Sequence, residues 1–306
     1  MKILAVDVGT GTQDVLLFDT EKEPENALKM VMPSPTTLLA QTIGTATEAG
    51  EDLLLSGVMM GGGPCAWAAR DHLEAGHRVY ATPAAARTFN DDLDEVAAMG
   101  VELLEEDEAS KLSGVLRLRM VDFDYGAMAR AFDAFGVDLD AVDVLAVAVF
   151  DHGAAPPGYS DRLFRFEYLA ERIQTGAGLA AFAFVPDEIP ESMTRLQAVA
   201  YTAPQDRPLV VMDTAPAAVL GALEDPRVAK RQEAIVANVG NMHTLAFDLR
   251  GSGGDRTIAG LFEHHTGLLD QATLERLLEQ LRVGTLSHEE LFAEHGHGAL
   301  LVKPAP

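Results

Sequence analysis

Residues 3–19 read ILAVDVGTGTQDVLLFD. Two apolar runs, Ile3–Val8 and Val15–Phe18, flank the polar turn Gly9-Thr10-Gly11-Thr12-Gln13-Asp14. Strand-like runs around a short glycine-rich turn predict a β-hairpin, with Asp7 at the end of its first strand. Glycine lets the backbone approach a ligand closely, and the hydroxyls of Thr10 and Thr12 add donors. Successive N–H groups in such a turn form an anion-binding nest, and a carboxylate beside it suits a hydrated Mg²⁺ held against phosphate oxygens. Two readings follow. One is a nucleotide-phosphate hairpin; the other is an ordinary hairpin whose Gly and Thr only make the turn.

The bulk of the sequence narrows the classes. With 306 residues there is room for two domains, and 48% hydrophobic content predicts packed cores rather than disorder. A net charge of −24 with no basic stripe argues against nucleic acid and anionic membranes as partners. It does not argue against a nucleotide, whose phosphates backbone donors and a metal handle locally. Cys65 is the one cysteine, so no disulfide framework and no three-cysteine iron–sulfur site can form within one chain. Asp7 and Asp14 interrupt any signal-peptide pattern, and no window approaches the ~20 apolar residues of a membrane span. The expectation is a soluble, cytoplasmic protein.

Further along, Ala27–Met32 reads as a third strand and Thr36–Ala49 as a helix ending at Gly50. Leu53–Met60 is an apolar strand that feeds into Gly61-Gly62-Gly63-Pro64, and Cys65–Ala75 follows as a helix. Strand, triple glycine and helix make a second place where N–H groups of Gly61, Gly62 and Gly63 would face an anion, or else a tight turn. Cys65 at a helix start is either a thiol of lowered pKa or a small buried hydrophobe. The acidic stretch 90–140 reads as an insertion or surface layer.

Val142–Phe150 is the most strand-like segment, and it spills into Asp151-His152-Gly153 and a proline-rich loop. Such loops are where α/β proteins place their sites. Asp151 and His152 are therefore read as an acid/base pair, as metal ligands, or as plain loop residues. Arg162 and Arg165, three apart, either grip an anion or make surface pairs. Leu209–Met212 is a strand, and Asp213 or Thr214 caps a helix from Ala215 to Leu223. Ala234–Val239 and Thr244–Leu249 form a second glycine-turn hairpin around Gly240-Asn241. Asp270 caps a leucine-striped helix ending at Gly284, and Ser287 with Glu290 caps the last one. His264-His265 and His295-x-His297 offer nitrogen ligands for a transition metal, without a third ligand evident from spacing, or loop positions near a nucleotide.

The pieces resemble the actin, heat-shock-chaperone and sugar-kinase superfamily of ATP-binding folds. Its first phosphate motif, D-x-G-T, is similar to Asp7-Val8-Gly9-Thr10. Its interdomain helix is similar to Asp213-Thr214-Ala215-Pro216-Ala217-Ala218. Its second motif is similar to Asn238-Val239-Gly240-Asn241-Met242-His243-Thr244, with Asn238 where the superfamily usually has Asp. More narrowly, Gly61-Gly62-Gly63-Pro64, Asp151-His152-Gly153, Ser160-Asp161-Arg162 and Glu263-His264-His265-Thr266-Gly267 resemble the marks of a family within it. Its relatives are labelled pyruvate formate-lyase activating enzymes. Such an activase needs a C-x3-C-x2-C cluster for radical S-adenosylmethionine chemistry, which one cysteine cannot supply.

The resemblance implies an α/β, two-lobed actin-like ATPase (ribonuclease H-like) fold with a nucleotide cleft. The lobes would be residues 1–208, with an insertion around 90–140, and residues 209–306. ATP and Mg²⁺ are the implied cofactors. Gly9, Thr10, Gly11, Thr12, Asn238, Gly240, Asn241, His243 and Thr244 would hold phosphates, and Asp7 would orient the metal. The Gly253-Gly254 pair, or Gly296 with Gly298, would border the adenosine. Asp151 with His152 would serve a small-molecule acceptor as base in a phosphotransferase or ATPase. The alternative is a nucleotide-gated regulator with little hydrolysis, acting on a protein partner.

Overall fold

The computed structural model describes residues 1–175, 178–253 and 256–302. Its strands are β1 (Lys2–Val8), β2 (Thr12–Asp19), β3 (Leu28–Pro33), β4 (Leu53–Gly57), β5 (Val79–Ala81), β6 (Glu102–Leu103), β7 (Leu116–Met120), β8 (Val144–Val149), β9 (Ala183–Phe184), β10 (Leu209–Asp213), β11 (Glu233–Val239), β12 (His243–Arg250), β13 (Thr257–His265) and β14 (Gly298–Leu301). The fold is mixed α/β, with both parallel and antiparallel pairing. Its chain contacts divide it into two units: Met1–Asp151 with Val185–Val211, and His152–Phe184 with Met212–Pro306.

In the first unit one sheet runs β3–β2–β1–β8–β10. β1 and β2 pair antiparallel with Val8 opposite Gln13 and Asp7 opposite Asp14, while β8 lies parallel to β1. Alternation buries Leu4, Val6 and Val8 on one face of β1 and leaves Asp7 on the other. A separate sheet, β6–β5–β4–β7, is parallel throughout. Leu53, Leu55, Val79, Ala81 and Met120 of this sheet pack against Ile43 and Ala46 of helix Pro35–Ala49 and Cys65 and Ala69 of helix Pro64–Glu74. Each large aliphatic side chain buried there contributes about 1.5–3 kcal/mol relative to exposure.

The helix ends follow local chemistry. Ser34 caps Pro35–Ala49 by accepting from the Thr37 N–H, and Gly50 closes it in the left-handed conformation. The stretch 90–140 departs from the expected surface layer, because it supplies β6 and β7. In β7, Leu116, Leu118 and Met120 alternate with Arg117 and Arg119, a strand signal that the surrounding acidic residues mask.

In the second unit the sheet β11–β12–β13–β14 is antiparallel throughout. Helix Gln271–Val283 is capped by Asp270 and closed by Gly284, as its leucine stripe predicts. It buries Leu277 and Leu281 against Ala246 and Phe262. The opposite face of β12 and β13 then carries His243, Leu245, Glu263 and His265. The β11–β12 hairpin repeats the turn of the β1–β2 hairpin. Gly9 N–H donates to Thr12 O at 2.9 Å and Gly240 N–H to His243 O at 3.0 Å, with Val239 opposite Thr244. Of the expected Gly253-Gly254 pair, Gly254 lies outside the described residues. No helix among the described residues is long and apolar enough to cross a membrane.

Candidate functional site

The glycine turns of the first unit converge on the start of helix Pro35–Ala49. Ser34 and Thr37 hydroxyls both donate to the Thr10 carbonyl, and the Ser34 N–H donates to Gly11 O at 3.1 Å. The neighbouring Thr36 hydroxyl donates to the Gly62 carbonyl and accepts from the Cys65 N–H at 3.1 Å. A Cβ on Gly63, at φ 53°, would stand 3.4 Å from the Thr10 methyl group. The Gly9–Thr12 turn therefore meets the N-terminal ends of two helices, Pro35–Ala49 and Pro64–Glu74, where the peptide dipoles favour negative charge. Asp7 stands directly across from Asp14 on the same face of the hairpin.

The triple glycine is already engaged with protein groups. Gly61 N–H donates to both oxygens of buried Asp122 at 3.2 Å, and Asp122 also takes two bonds from Arg195, at 2.6 and 3.1 Å. A Cβ on Gly62 would stand 2.8 Å from the Thr88 carbonyl, so the turn needs glycine for close backbone packing. Cys65 is fully buried, and burial pushes its thiol up to about 11, which decides between the two readings in favour of a small buried hydrophobe.

Asp151 and His152 have different surroundings. Asp151 is 1% exposed, and its carboxylate accepts from the Leu196 N–H at 2.8 Å in the first turn of helix Thr194–Thr202. His152 is exposed and faces other histidines of the second unit. His243, in the turn of the second hairpin, pairs across the sheet with His265 at the end of β13. His297 precedes β14, and its N–H donates to the Glu263 carbonyl at 2.9 Å. The ring centres of His243, His265 and His297 form a near-equilateral triangle with sides of 5.1, 5.0 and 4.7 Å. One ring nitrogen from each lies within 4.8 Å of the others. His264 turns away to bond the His265 carbonyl, and His295 is exposed at the preceding turn.

Behind the triangle is a buried charge network. His297 Nδ1 faces Glu263 Oε1 at 3.3 Å, and Arg165 Nε meets Glu263 Oε2 at 3.2 Å. Arg165 Nη1 reaches Asp213 Oδ2 at 2.7 Å, and Asp213 caps helix Thr214–Leu223 through the Ala215 N–H. The Arg165 side chain is entirely buried, which settles the choice between anion grip and surface pair against the surface pair. Its neighbour Arg162 instead bonds the Gly296 carbonyl at 2.8 Å and stacks over Phe292. His297 Nε2 is buried without a hydrogen-bond partner among the described residues, a state that costs about 1–3 kcal/mol.

Burial first, and neighbouring imidazoles second, hold His243 down to about 2 and His297 far below its ordinary value. Burial raises Glu263 from 4.5 to about 7 against the opposing pull of Arg165. Two depressed histidines shed protons on folding, whereas Glu263 gains one. Between 4.5 and 6.5 the unfolded chain therefore binds more protons at these three groups, and their contribution to stability rises with pH. Urea unfolding of chelator-treated protein is expected to show a midpoint higher at pH 6.5 than at pH 5, and a midpoint that falls over this interval would contradict the burial pattern.

The Asn238 turn has Leu245 opposite Asn238, so it lacks the facing carboxylates of the first hairpin. Thr244 is buried, with its hydroxyl on that of Thr266 at 2.9 Å, and Asn241 is exposed. The family model described as "Putative pyruvate format-lyase activating enzyme (DUF1786)" matches residues 60–306. No curated protein matches the chain.

Proposed function

We propose that this chain, which belongs to that family, is a Mg²⁺-dependent ATP-binding protein that uses the β1–β2 turn for phosphate. The observation that carries this reading is the Gly9–Thr12 turn at two helix starts, with Asp7 and Asp14 facing one another beside it. Backbone donors of Thr10, Gly11 and Thr12 would take phosphate oxygens. Asp7, with Asp14, would hold hydrated Mg²⁺, a cation that takes oxygen ligands and keeps several waters. The ion would supply charge neutralisation at the phosphates, and phosphoryl transfer to an acceptor is the chemistry open to such a pair.

The activase chemistry in the family's description is not part of this reading. A three-thiolate cluster cannot be assembled from one buried cysteine.

A second reading, nucleotide binding with little turnover, is favoured by the state of Asp151. Its carboxylate is buried against the Leu196 N–H rather than open to an acceptor hydroxyl. ADP formation from ATP, measured with and without a panel of small-molecule acceptors, separates the two. Turnover that survives Asp151→Asn would assign the base elsewhere. Absence of turnover together with a Mg²⁺-dependent thermal shift by ATP would select the regulator. Absence of any nucleotide-dependent shift would remove both readings.

A further inference from the structure

We infer that the second unit holds a divalent transition-metal ion on His243, His265 and His297, a site independent of the nucleotide reading. The three residues come from the start of β12, the end of β13 and the residue before β14, so strand register fixes their backbones at one end of one sheet. Their donor nitrogens already lie within 4.8 Å of one another. Around an ion with metal–nitrogen distances of about 2.0–2.1 Å in tetrahedral geometry, ligand nitrogens stand about 3.4 Å apart. The rings therefore close on an ion by shifts of about 1.4 Å or less, within the reach of side-chain rotation.

Two further features point to a ligand rather than to histidines packed for bulk. His297 is 1% exposed, and its Nε2 has no hydrogen-bond partner among the described residues. Packing alone gives no reason to bury a strong acceptor in that state. Its other nitrogen, Nδ1, stands 3.3 Å from Glu263 Oε1 with no hydrogen bond formed between them; a small ring shift onto an ion would bring the Nδ1–H onto that carboxylate and fix the tautomer with Nε2 on the metal. Glu263 is in turn held by Arg165, and Arg165 by Asp213.

The donor set selects the class of ion. Three imidazoles without thiolate or carboxylate suit Zn²⁺, Co²⁺, Ni²⁺, Cu²⁺ or Fe²⁺, whereas Mg²⁺ and Ca²⁺ require oxygen. Three protein ligands leave a coordination position for water or a substrate oxygen, the arrangement of catalytic rather than structural sites. His152 stands beside that triangle, with ring centres 5.2 Å from His243 and 6.1 Å from His297. His243 also closes the second hairpin turn through its carbonyl, so the ion would fix that turn as well.

The test uses the full chain without an oligohistidine tag, stripped with a chelator and titrated with Co²⁺ and then Zn²⁺, in the absence of nucleotide. The expected result is one equivalent of Co²⁺ with the visible bands of a four- or five-coordinate nitrogen site, displaced by one equivalent of Zn²⁺. His265→Ala, at a half-buried strand end, is expected to fold as judged by circular dichroism and to weaken Co²⁺ binding at least about 100-fold. Glu263→Gln, which keeps the side-chain shape, is expected to weaken it about 10–100-fold with the cobalt spectrum retained. His77→Ala, in the first unit, is expected to bind as the wild type does. Failure of the wild type to take up either ion, or equal uptake by the wild type and His265→Ala, would overturn the site. Neither outcome bears on ATP binding, which is measured separately with Mg²⁺.

Discussion

Arg165→Met is expected to destabilise the second unit by about 3–5 kcal/mol, the largest single effect among the substitutions considered. The side chain is fully buried and joins Asp213 at 2.7 Å to Glu263 at 3.2 Å. Methionine fills similar volume, so the loss is electrostatic rather than a cavity. Removing the cation leaves two carboxylates in a site from which water is excluded, one of them the cap of helix Thr214–Leu223. Both must then protonate or draw in solvent. Urea denaturation of the wild type, Arg165→Met, Glu263→Gln and the double variant forms a cycle that isolates the pair. The double variant is expected to recover part of the loss, because neutralising Glu263 removes one stranded charge. A single-variant loss below about 1 kcal/mol, the range of exposed pairs, would contradict the buried network.

Asp122→Ala is expected to cost about 3 kcal/mol or more in the first unit, by the same reasoning applied to a different pair. Asp122 is 3% exposed and accepts two bonds from Arg195 as well as the Gly61 N–H. Its loss strands a guanidinium that retains its bond to the Phe150 carbonyl at 2.6 Å. It also frees the start of the triple-glycine turn, whose Gly62 carbonyl accepts from the Thr36 hydroxyl. A looser turn should weaken ATP in addition to lowering stability. Asp122→Asn, which keeps the shape and one acceptor, is expected to lose less of both. Urea midpoints and nucleotide affinity measured on the same preparations check this. Unchanged stability in Asp122→Ala would show that Arg195 finds another acceptor.

The sequence was informative where structure is decided locally. Asp270 and Ser287 cap helices in the positions their side chains dictate, and Gly50 and Gly284 end them. Both hairpins follow from apolar runs around a glycine turn. β7 was obscured because its alternation of Leu and Arg is embedded in acidic residues, and its parallel partner β4 lies about sixty positions earlier. Parallel pairing over such a span leaves no mark in local periodicity. The histidine triangle was half visible. His265 and His297 each belong to a local histidine pair, but the third member, His243, reads from the sequence as a phosphate-holding residue of the second hairpin turn and not as a metal ligand. Cross-strand register, not spacing along the chain, brings the three together. Arg165 shows the same limit, since helical spacing placed it beside Arg162 and nothing local marked it as the buried partner of residues 48 and 98 positions away.

Whether Mg²⁺ and ATP bind together at the β1–β2 turn, as proposed, is tested most directly by calorimetric titration of ATP with and without Mg²⁺. Wild type and Asp7→Ala are compared at the same salt concentration. Wild-type binding is expected to require Mg²⁺ and to be weakened by Asp7→Ala by about tenfold or more, equivalent to about 1.4 kcal/mol. No wild-type binding under either condition, or binding indifferent to both Mg²⁺ and Asp7, would contradict the proposal.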